Sequence, residues 1–158
     1  MTTKIEGVDK LKRKMMTFPR LARQEISKAM EQSADEMVRL ARSLAPVADG
    51  DLRASIGWTW GDAPKGTMVI GQVKREGKGT GNMQITVYAG GGDAWYSRFV
   101  EFGTSPHIQG GIFAGTQHPG TPAQPFFFPS YRAMRKRFRS RTTRAIRKAA
   151  RTAAAGGN

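Results

Sequence analysis

The stretch from Asp93 to Ser130 constrains the fold more than any other part of the chain. It holds six of the eight phenylalanines and one of the three tryptophans. An apolar-rich run opens it and ends at Gly103, a long Gly- and Pro-rich loop follows, and three consecutive phenylalanines, Phe126 to Phe128, close it. Large aromatic side chains at this density indicate a hydrophobic core or a subunit interface.

Upstream of this stretch, apolar periodicity predicts two helices. Apolar residues at three- and four-residue spacing predict a short helix over residues 4–17, and a longer amphipathic helix from Pro19 to Leu44. Pro19 predicts a break between the two, because proline fits a helix best at its first turn.

Alternating apolar and polar residues then predict three strands. The first begins at Arg53, the second is centred on residues 68–73, and the third covers residues 83–89. Their connections are too short for crossover helices, so we expect an antiparallel meander. The Gly-rich, charged segment 74–82 between the last two strands predicts a mobile loop.

Beyond the strands, Asp93 is placed to cap a short helix that ends at Gly103. The loop over residues 103–124 is longer than a compact domain normally uses, so we expect a neighbouring subunit to order it. Phe126 to Phe128 are interpreted as a final short strand. Pro129 suits the first turn of a last helix that runs to Ala154.

These elements predict a single α+β domain that spans residues 1–158. Its parts are long N-terminal helices over residues 1–44, a small antiparallel sheet with a short middle helix and a long loop over 53–128, and a basic C-terminal helix over 129–154.

Positive charge is concentrated at the C-terminal end. The net charge is +14, and residues 131–158 hold ten lysines and arginines and no acidic residue. Such a block indicates a polyanionic partner or an acidic protein surface, although a solvated chain end has the same composition. No base-reading module is visible, so any nucleic-acid contact would be to phosphates. The candidate contact residues are Arg132, Arg135, Arg137, Arg141, Arg144 and Lys148.

The sequence does not support a membrane span, a signal peptide, a metal site, a catalytic site or a phosphate-binding loop. The chain has no cysteine and no apolar run of membrane-span length, and residues 1–16 are charged and lack the apolar segment of a signal peptide, so we expect none. His107 and His118, even with Glu101, make a weak metal or catalytic site, because no third ligand stands at motif spacing. The Gly-rich segment 74–82 lacks the ending of a phosphate-binding loop. We therefore predict no catalytic, cofactor or metal site, no enzyme activity and no membrane association.

Three ordered blocks resemble the gene-product-ten-like family of long-tailed bacteriophages. The first is APVADGDLRASI from Ala45, the second is WYSRFVEFGTSPH from Trp95, and the third is PAQPFFFPSYRAM from Pro122. Asp49 departs from the family pattern, where Thr or Ser is more usual, and the strongly basic last helix is not part of it. The residues that match the family motif in the last two blocks are Tyr96, Val100, Glu101, Gly103, Thr104, Pro125, Phe126 and Phe127.

The resemblance implies a structural virion protein, described in the family as a minor tail component, tail-completion protein or head–tail joining protein. It implies a homo-oligomeric ring, with six copies to match the symmetry of the tail. Neighbours would be neck and tail proteins such as the tail terminator and the head-closure protein. The protein would be made in the host cytoplasm and reside in the virion, of an infectious phage or of a phage-derived particle.

The motif residues would then serve the fold or a subunit interface, and Glu101 would satisfy backbone donors at the start of the loop. The alternative from another class is a sequence-independent nucleic-acid-binding protein.

Overall fold

A computed structural model describes residues 7–70 and 83–155. Four helices and five strands make up the described part: α1 Val8–Leu44, α2 Asp51–Ala54, β1 Gly57–Trp60, β2 Met68–Ile70, β3 Ile85–Ala89, α3 Ser97–Phe102, β4 His107–Ile108, β5 Gln117–His118 and α4 Phe127–Ala155. Short 3₁₀ turns lie at Gly92–Ala94 and Gly111–Phe113. The predicted α+β class is confirmed. The loop predicted over residues 74–82, the end of the second predicted strand and both chain termini lie outside the described residues.

The chain divides into two compact units. Unit 1 comprises Met1–Ser33 and Arg135–Asn158, and unit 2 comprises Ala34–Met134. Helices α1 and α4 each contribute to both units. The prediction that the chain folds as one domain stays a prediction.

In unit 1, the first part of α1 runs antiparallel to the last part of α4. The ammonium of Lys14 donates a hydrogen bond to the carbonyl of Ala154, and Lys148 forms an ion pair of 2.9 Å with Glu25. Further along, the guanidinium of Arg141 donates to the hydroxyl of Ser33 at 2.7 Å. Small side chains form the buried seam of this pair: Ala29, Ser33, Ala145, Ala149 and Ala153.

The predicted break at Pro19 is wrong, because α1 is one helix of 37 residues with Pro19 inside it. An internal proline removes a helical hydrogen bond and costs about 3 kcal/mol. The contacts of α1 with α4 stand on both sides of Pro19, at Lys14 and at Glu25. The pairing of α1 with α4 therefore continues across the proline.

The core of unit 2 joins the second part of α1, the sheet and the start of α4. Ala34, Met37 and Ala41 lie at helical spacing on α1 and are buried, whereas Leu44 is 48% exposed and the neighbouring Ala45 is buried instead. Twelve buried residues form this core: Ala34, Met37, Val38, Ala41, Ala45, Leu52, Ile56, Met68, Val87, Ala89, Phe126 and Phe127. Phe126 and Phe127 are completely buried and are the largest side chains of the core.

The sheet is not the predicted meander, because β3 lies in the middle. It pairs antiparallel with both β1 and β2, in the order β1-β3-β2. The link from β1 to β2 therefore returns along β3. The buried hydroxyl of Thr86 on β3 donates to the carbonyl of Gly61, the first residue of that link, which fixes its path. A link of seven residues is long enough, because an extended chain spans about 3.3 Å per residue.

Two short helical segments also depart from the sequence prediction. Residues 51–54 form α2 rather than the beginning of a strand, after a left-handed Gly50 (φ 92°). Leu52 points into the core from this turn. Asp93 does not cap α3, since it lies within the 3₁₀ turn Gly92–Ala94 and the first residue of α3 is Ser97.

The long loop is a β-hairpin, here called the arm (residues 104–121). Thr104 and Thr121 close its base through two backbone hydrogen bonds and a contact of 2.8 Å between their hydroxyls. Strands β4 and β5 pair above the base, and the turn is held by backbone bonds between Gln109 and Thr116 and between Gly115 and Gln109. The prediction of a loop over residues 103–124 is therefore wrong for the arm, because its backbone groups bond to one another. That a neighbouring subunit orders this segment stays a prediction.

Gly103 connects α3 to the arm where two chain segments approach closely. Its φ is +72°, and a methyl group added to it would lie 2.7 Å from the carbonyl oxygen of Thr121 and 2.9 Å from the amide nitrogen of Ala123. The position thus requires glycine for its backbone angle and for the space beside it.

Gly103→Ala is expected to destabilise the protein more than Gly66→Ala. Gly66 also has a positive φ, +80°, but nothing lies within 4 Å of an added methyl group. Gly66→Ala should cost about 1–2 kcal/mol for the backbone angle alone, and Gly103→Ala about 1–3 kcal/mol more for the clash. Urea unfolding of both variants measures the difference. Equal losses would contradict the close approach at Gly103.

Candidate functional site

A buried carboxylate connects α3 to the start of α4. Glu101 is 3% exposed. Its Oε2 accepts hydrogen bonds from the backbone N–H groups of Phe126 (2.8 Å) and Phe127 (2.9 Å), and its Oε1 accepts one from Phe128 (3.0 Å). We call this arrangement the Glu101 clasp. It places a negative charge at the N-terminus of a helix of 29 residues, where the helix dipole favours it.

The clasp accounts for every backbone donor that the start of α4 leaves without a helical partner. The first four N–H groups of a helix have no acceptor within it. Here three of the four positions donate to Glu101, and the fourth is Pro129, which has no N–H. The interpretation of Phe126 to Phe128 as a strand is therefore wrong. Phe127 and Phe128 form the first turn of α4, and their side chains pack in or against the core of unit 2.

Sequence reasoning expected Glu101 to satisfy donors at the start of the loop, but its partners lie 25–27 residues further along the chain. A signal for this was present. The residues before α4 are Gln124, Pro125 and Phe126, none of which is a good N-cap, and its first turn has no acidic residue. A helix start so poor in local caps indicates that a distant side chain supplies the acceptor.

The other residues of the second block organise backbone beside the clasp. Tyr96 and Val100 are partly buried against the core of unit 2. The carbonyl of Val100 accepts a hydrogen bond of 2.8 Å from the amide of Gln124, and Thr104 bridges to Thr121. Pro125, by contrast, is exposed.

The first block, residues 45–56, is also used for the fold. Ala45, Leu52 and Ile56 belong to the core. The guanidinium of Arg53 donates two hydrogen bonds, at 3.1 and 3.0 Å, to the carbonyl of Ala45 just beyond the end of α1. Ser55 accepts a hydrogen bond of 3.0 Å from the amide of Gly90 after β3. The motif residues thus hold helix ends and strand ends together.

The six predicted polyanion contacts do not share one environment. Arg132, Arg135, Arg137 and Arg144 are exposed on α4. Arg141 is half-buried and donates to Ser33, and Lys148 pairs with Glu25, so both contact α1 within unit 1. Helical spacing places three other exposed cations opposite the seam of Ala145 and Ala149: Lys136, Arg147 and Arg151. The composition of the sequence is enough to identify the charged helix. The outer side of α4 can be identified only once its contacts with α1 are known.

The two histidines meet on the arm as a cross-strand pair. Their rings stack with centroids 5.0 Å apart. Nδ1 of His107 contacts the carbonyl of Ser105 at 3.0 Å, and Nδ1 of His118 accepts a hydrogen bond from the amide of Gly120. Glu101 is not part of this pair, because its carboxylate is used in the clasp. Within residues 7–70 and 83–155 there is no group of three or more potential metal ligands, and no helix there has the length and apolarity to cross a membrane.

The fold and these contacts define a small α+β protein, whose motif residues hold backbone segments of the fold together. The comparisons with known proteins identify its family. Residues 9–103 match the family model described as "Bacteriophage HK97-gp10, putative tail-component". The chain therefore belongs to the HK97-gp10-like family of bacteriophage tail components, which confirms the resemblance seen in the sequence. No curated protein and no solved structure matches the chain.

The family match ends at Gly103, the residue that connects α3 to the arm. It includes the first block and most of the second, up to Gly103, and excludes the third block, which begins at Pro122. The clasp connects the matched part to the unmatched part, since Glu101 lies inside the match and its three partners lie outside it.

Glu101→Ala is expected to lower the free energy of unfolding by at least about 3 kcal/mol, because it leaves two buried N–H groups and one part-buried N–H group without an acceptor. Glu101→Gln should fall between the wild-type protein and Glu101→Ala, since an amide keeps the shape but offers one acceptor oxygen and no charge. Chemical denaturation followed by far-UV circular dichroism measures both.

Glu25→Ala is the matched control, because Glu25 makes a surface ion pair with Lys148. Its removal should cost no more than about 1 kcal/mol. A midpoint of Glu101→Ala indistinguishable from that of Glu25→Ala would show that the clasp does not determine the start of α4.

Proposed function

We propose that this protein is a structural component of the head–tail junction of a long-tailed phage or phage-like particle. It completes the tail or joins it to the head, as a homo-oligomeric ring of six copies. Its neighbours are neck and tail proteins of the tail-terminator and head-closure kind. Membership of a tail-component family supports this proposal. The observation that carries it is the use of the motif residues: they hold helix ends and strand ends together, and they leave the outer side of α4 exposed for binding.

Charge supports a position on the path of the genome. Unit 1 contains 17 lysines and arginines against four acidic residues, a net charge of +13, whereas unit 2 contains nine against eight, a net charge of +1. The cationic side chains therefore cluster on one helical pair. A junction through which any genome passes needs contacts to phosphates without base reading, and exposed arginines on a helix supply such contacts.

The same charge favours an alternative, a sequence-independent nucleic-acid-binding protein that acts outside the particle. The two functions differ in where the protein is found. A junction protein is a stoichiometric part of the virion and is required for joining heads to tails. A free DNA-binding protein is neither. Neither function requires catalysis, so we propose no enzyme activity.

Deleting the gene in a phage that encodes this protein should leave filled heads and separate tails. Expression of the intact chain from a plasmid should restore joined particles, and the restored virions should contain the protein. Electron microscopy and mass spectrometry of purified particles measure the two outcomes. Normal joined particles without the protein would refute the junction function and leave the nucleic-acid-binding alternative.

Replacing Lys136, Arg147 and Arg151 by Gln should weaken DNA retention by the purified protein. The logarithm of the binding constant should depend less steeply on the logarithm of salt concentration, by about 0.9 for each phosphate that the variant no longer neutralises. The matched control replaces Arg39, Lys65 and Arg98, three exposed cations of unit 2, and removes the same charge. It should leave the salt dependence nearly unchanged.

Particle joining by the same two variants separates the two partner classes. Reduced joining together with reduced DNA retention supports a contact with the genome. Reduced joining with unchanged DNA retention assigns the outer side of α4 to an acidic protein surface. If both measurements match those of the control variant, the basic helix has no part in the function.

A further inference from the structure

Three aromatic side chains form an exposed line beside the clasp. Trp95, Phe99 and Phe102 are spaced by four and three residues and share one side of α3, since Trp95 already has helical backbone angles (φ −54°, ψ −26°). They are 68%, 48% and 62% exposed. The rings of Trp95 and Phe99 touch edge to face with centroids 5.8 Å apart. We call this line the aromatic stripe.

A contiguous group of large exposed aromatics on a small protein marks an interaction surface rather than a random exposure. The stripe is not a misplaced core, because the opposite side of α3 is already buried: Ser97 and Glu101 are 2% and 3% exposed. The helix therefore has one side for the fold and one side that faces outward.

The arm carries a second exposed apolar group at its tip. Ile108, Ile112 and Phe113 are 74%, 95% and 66% exposed. The backbone of the arm is hydrogen-bonded, so these side chains are held outward on a built structure. The arm also lacks charge, because no Asp, Glu, Lys or Arg occurs between Glu101 and Arg132, in a chain with 24% charged residues. Depletion of charge around exposed apolar side chains is typical of the centre of a protein interface.

We propose that the tip of the arm in one copy of the chain docks on the aromatic stripe of a second copy. The two surfaces are different and belong to the same chain, so the contact is heterologous, and repetition of a heterologous contact closes a ring when the rotation allows it. This contact specifies how neighbouring copies of the proposed ring meet. Its biological role rests on the proposed function, whereas the contact itself does not.

Charge distribution favours a second copy as the occupant. A contact between copies through unit 1 brings two surfaces of net charge +13 together, whereas the arm and the stripe both lie in unit 2, with a net charge of +1. An uncharged tip and an aromatic stripe also offer no cations to a phosphate backbone, so duplex DNA is a poorer match for them than an apolar protein surface.

The contact is small, which sets the expected strength. Three side chains on each partner bury less than the about 800 Å² per partner of a standard interface. A single contact is therefore weak, and each copy of a closed ring makes two. We expect self-association that depends on protein concentration.

The absence of cysteine makes single-cysteine cross-linking a direct test. Ile112→Cys and Phe99→Cys, one of them enlarged by a fused tag, are mixed at high concentration and mildly oxidised. The expected product is a disulfide between the two different variants, several-fold more abundant than the homodimer of either. Val47→Cys replaces Phe99→Cys in the control, because Val47 is 60% exposed in unit 2 and outside both surfaces.

Two outcomes of the cross-linking would overturn the proposal. Ile112→Cys homodimers as abundant as the mixed dimer would indicate an arm-to-arm contact, and a mixed dimer no more abundant than with Val47→Cys would indicate no contact. The double variant Ile112→Asp, Phe113→Asp supplies a second measurement, in which sedimentation should show that self-association is abolished while the unfolding midpoint is unchanged. Unchanged self-association of this variant would also contradict the proposal.

Particle joining distinguishes failure of this inference from failure of the proposed function. If the mixed disulfide forms but joining does not require the protein, the arm–stripe contact stands and the junction function fails. If joining requires the protein but no mixed disulfide forms, the junction function stands and the arm–stripe contact fails.

Discussion

The carboxylate of Glu101 is the constraint on which unit 2 depends. Removing an ionised carboxylate from water costs several kcal/mol, and the structure offsets this cost with three N–H donors and the dipole of α4. Helix α4 in turn has no local cap, so its start is defined by a residue about 26 positions earlier. Glu101 thus bonds to the amides of Phe126 and Phe127, whose side chains lie in the core. The arm lies between Glu101 and α4 in the chain, and Thr104 and Thr121 close its base. The residues at its tip are therefore not needed to close the hairpin and are available for binding.

Much of the fold was accessible from the sequence, and the errors have a common physical origin. The 3.6-residue period predicted most of α1, Pro129 indicated where α4 begins, and alternation located the three strands of the larger sheet. The order of those strands was wrong because it depends on which strands pair, and no local pattern encodes that β3 pairs with both β1 and β2. Phe126 to Phe128 were assigned to a strand because a short apolar run is ambiguous between strand and helix. Only the distant Glu101 decides between the two. Pro19 shows the converse, a local rule that the structure does not follow, because α1 continues through it.

The candidate surfaces were predictable to different degrees. Composition alone located the basic helix, because ten cations without an acidic residue form an unmistakable block. It could not separate Arg141 and Lys148, which contact α1, from Lys136, Arg147 and Arg151, which face away from it. The aromatic run from Trp95 was recognised as core or interface, and the structure shows that it is divided. Tyr96 and Val100 pack against the core, while Trp95, Phe99 and Phe102 remain largely exposed. Which side chains of this segment are buried depends on the elements that pack against it, and the sequence of the segment alone does not show these elements.

The division of charge between the two units has a consequence for assembly. On the proposed arrangement, copies meet through unit 2, where charge is balanced, and every added copy contributes the +13 of its unit 1. Repulsion between these units opposes the ring, and a weak apolar contact alone competes poorly with it. A polyanion that binds several copies at once reduces the repulsion between them. Binding of the polyanion therefore favours ring closure, and ring closure raises the affinity for the polyanion by the same coupling free energy. Assembly of the free protein would then be limited, and the ring would be most stable where DNA is present. Because salt screens the repulsion and weakens the DNA contact together, it should promote self-association of the protein alone and oppose DNA-dependent assembly.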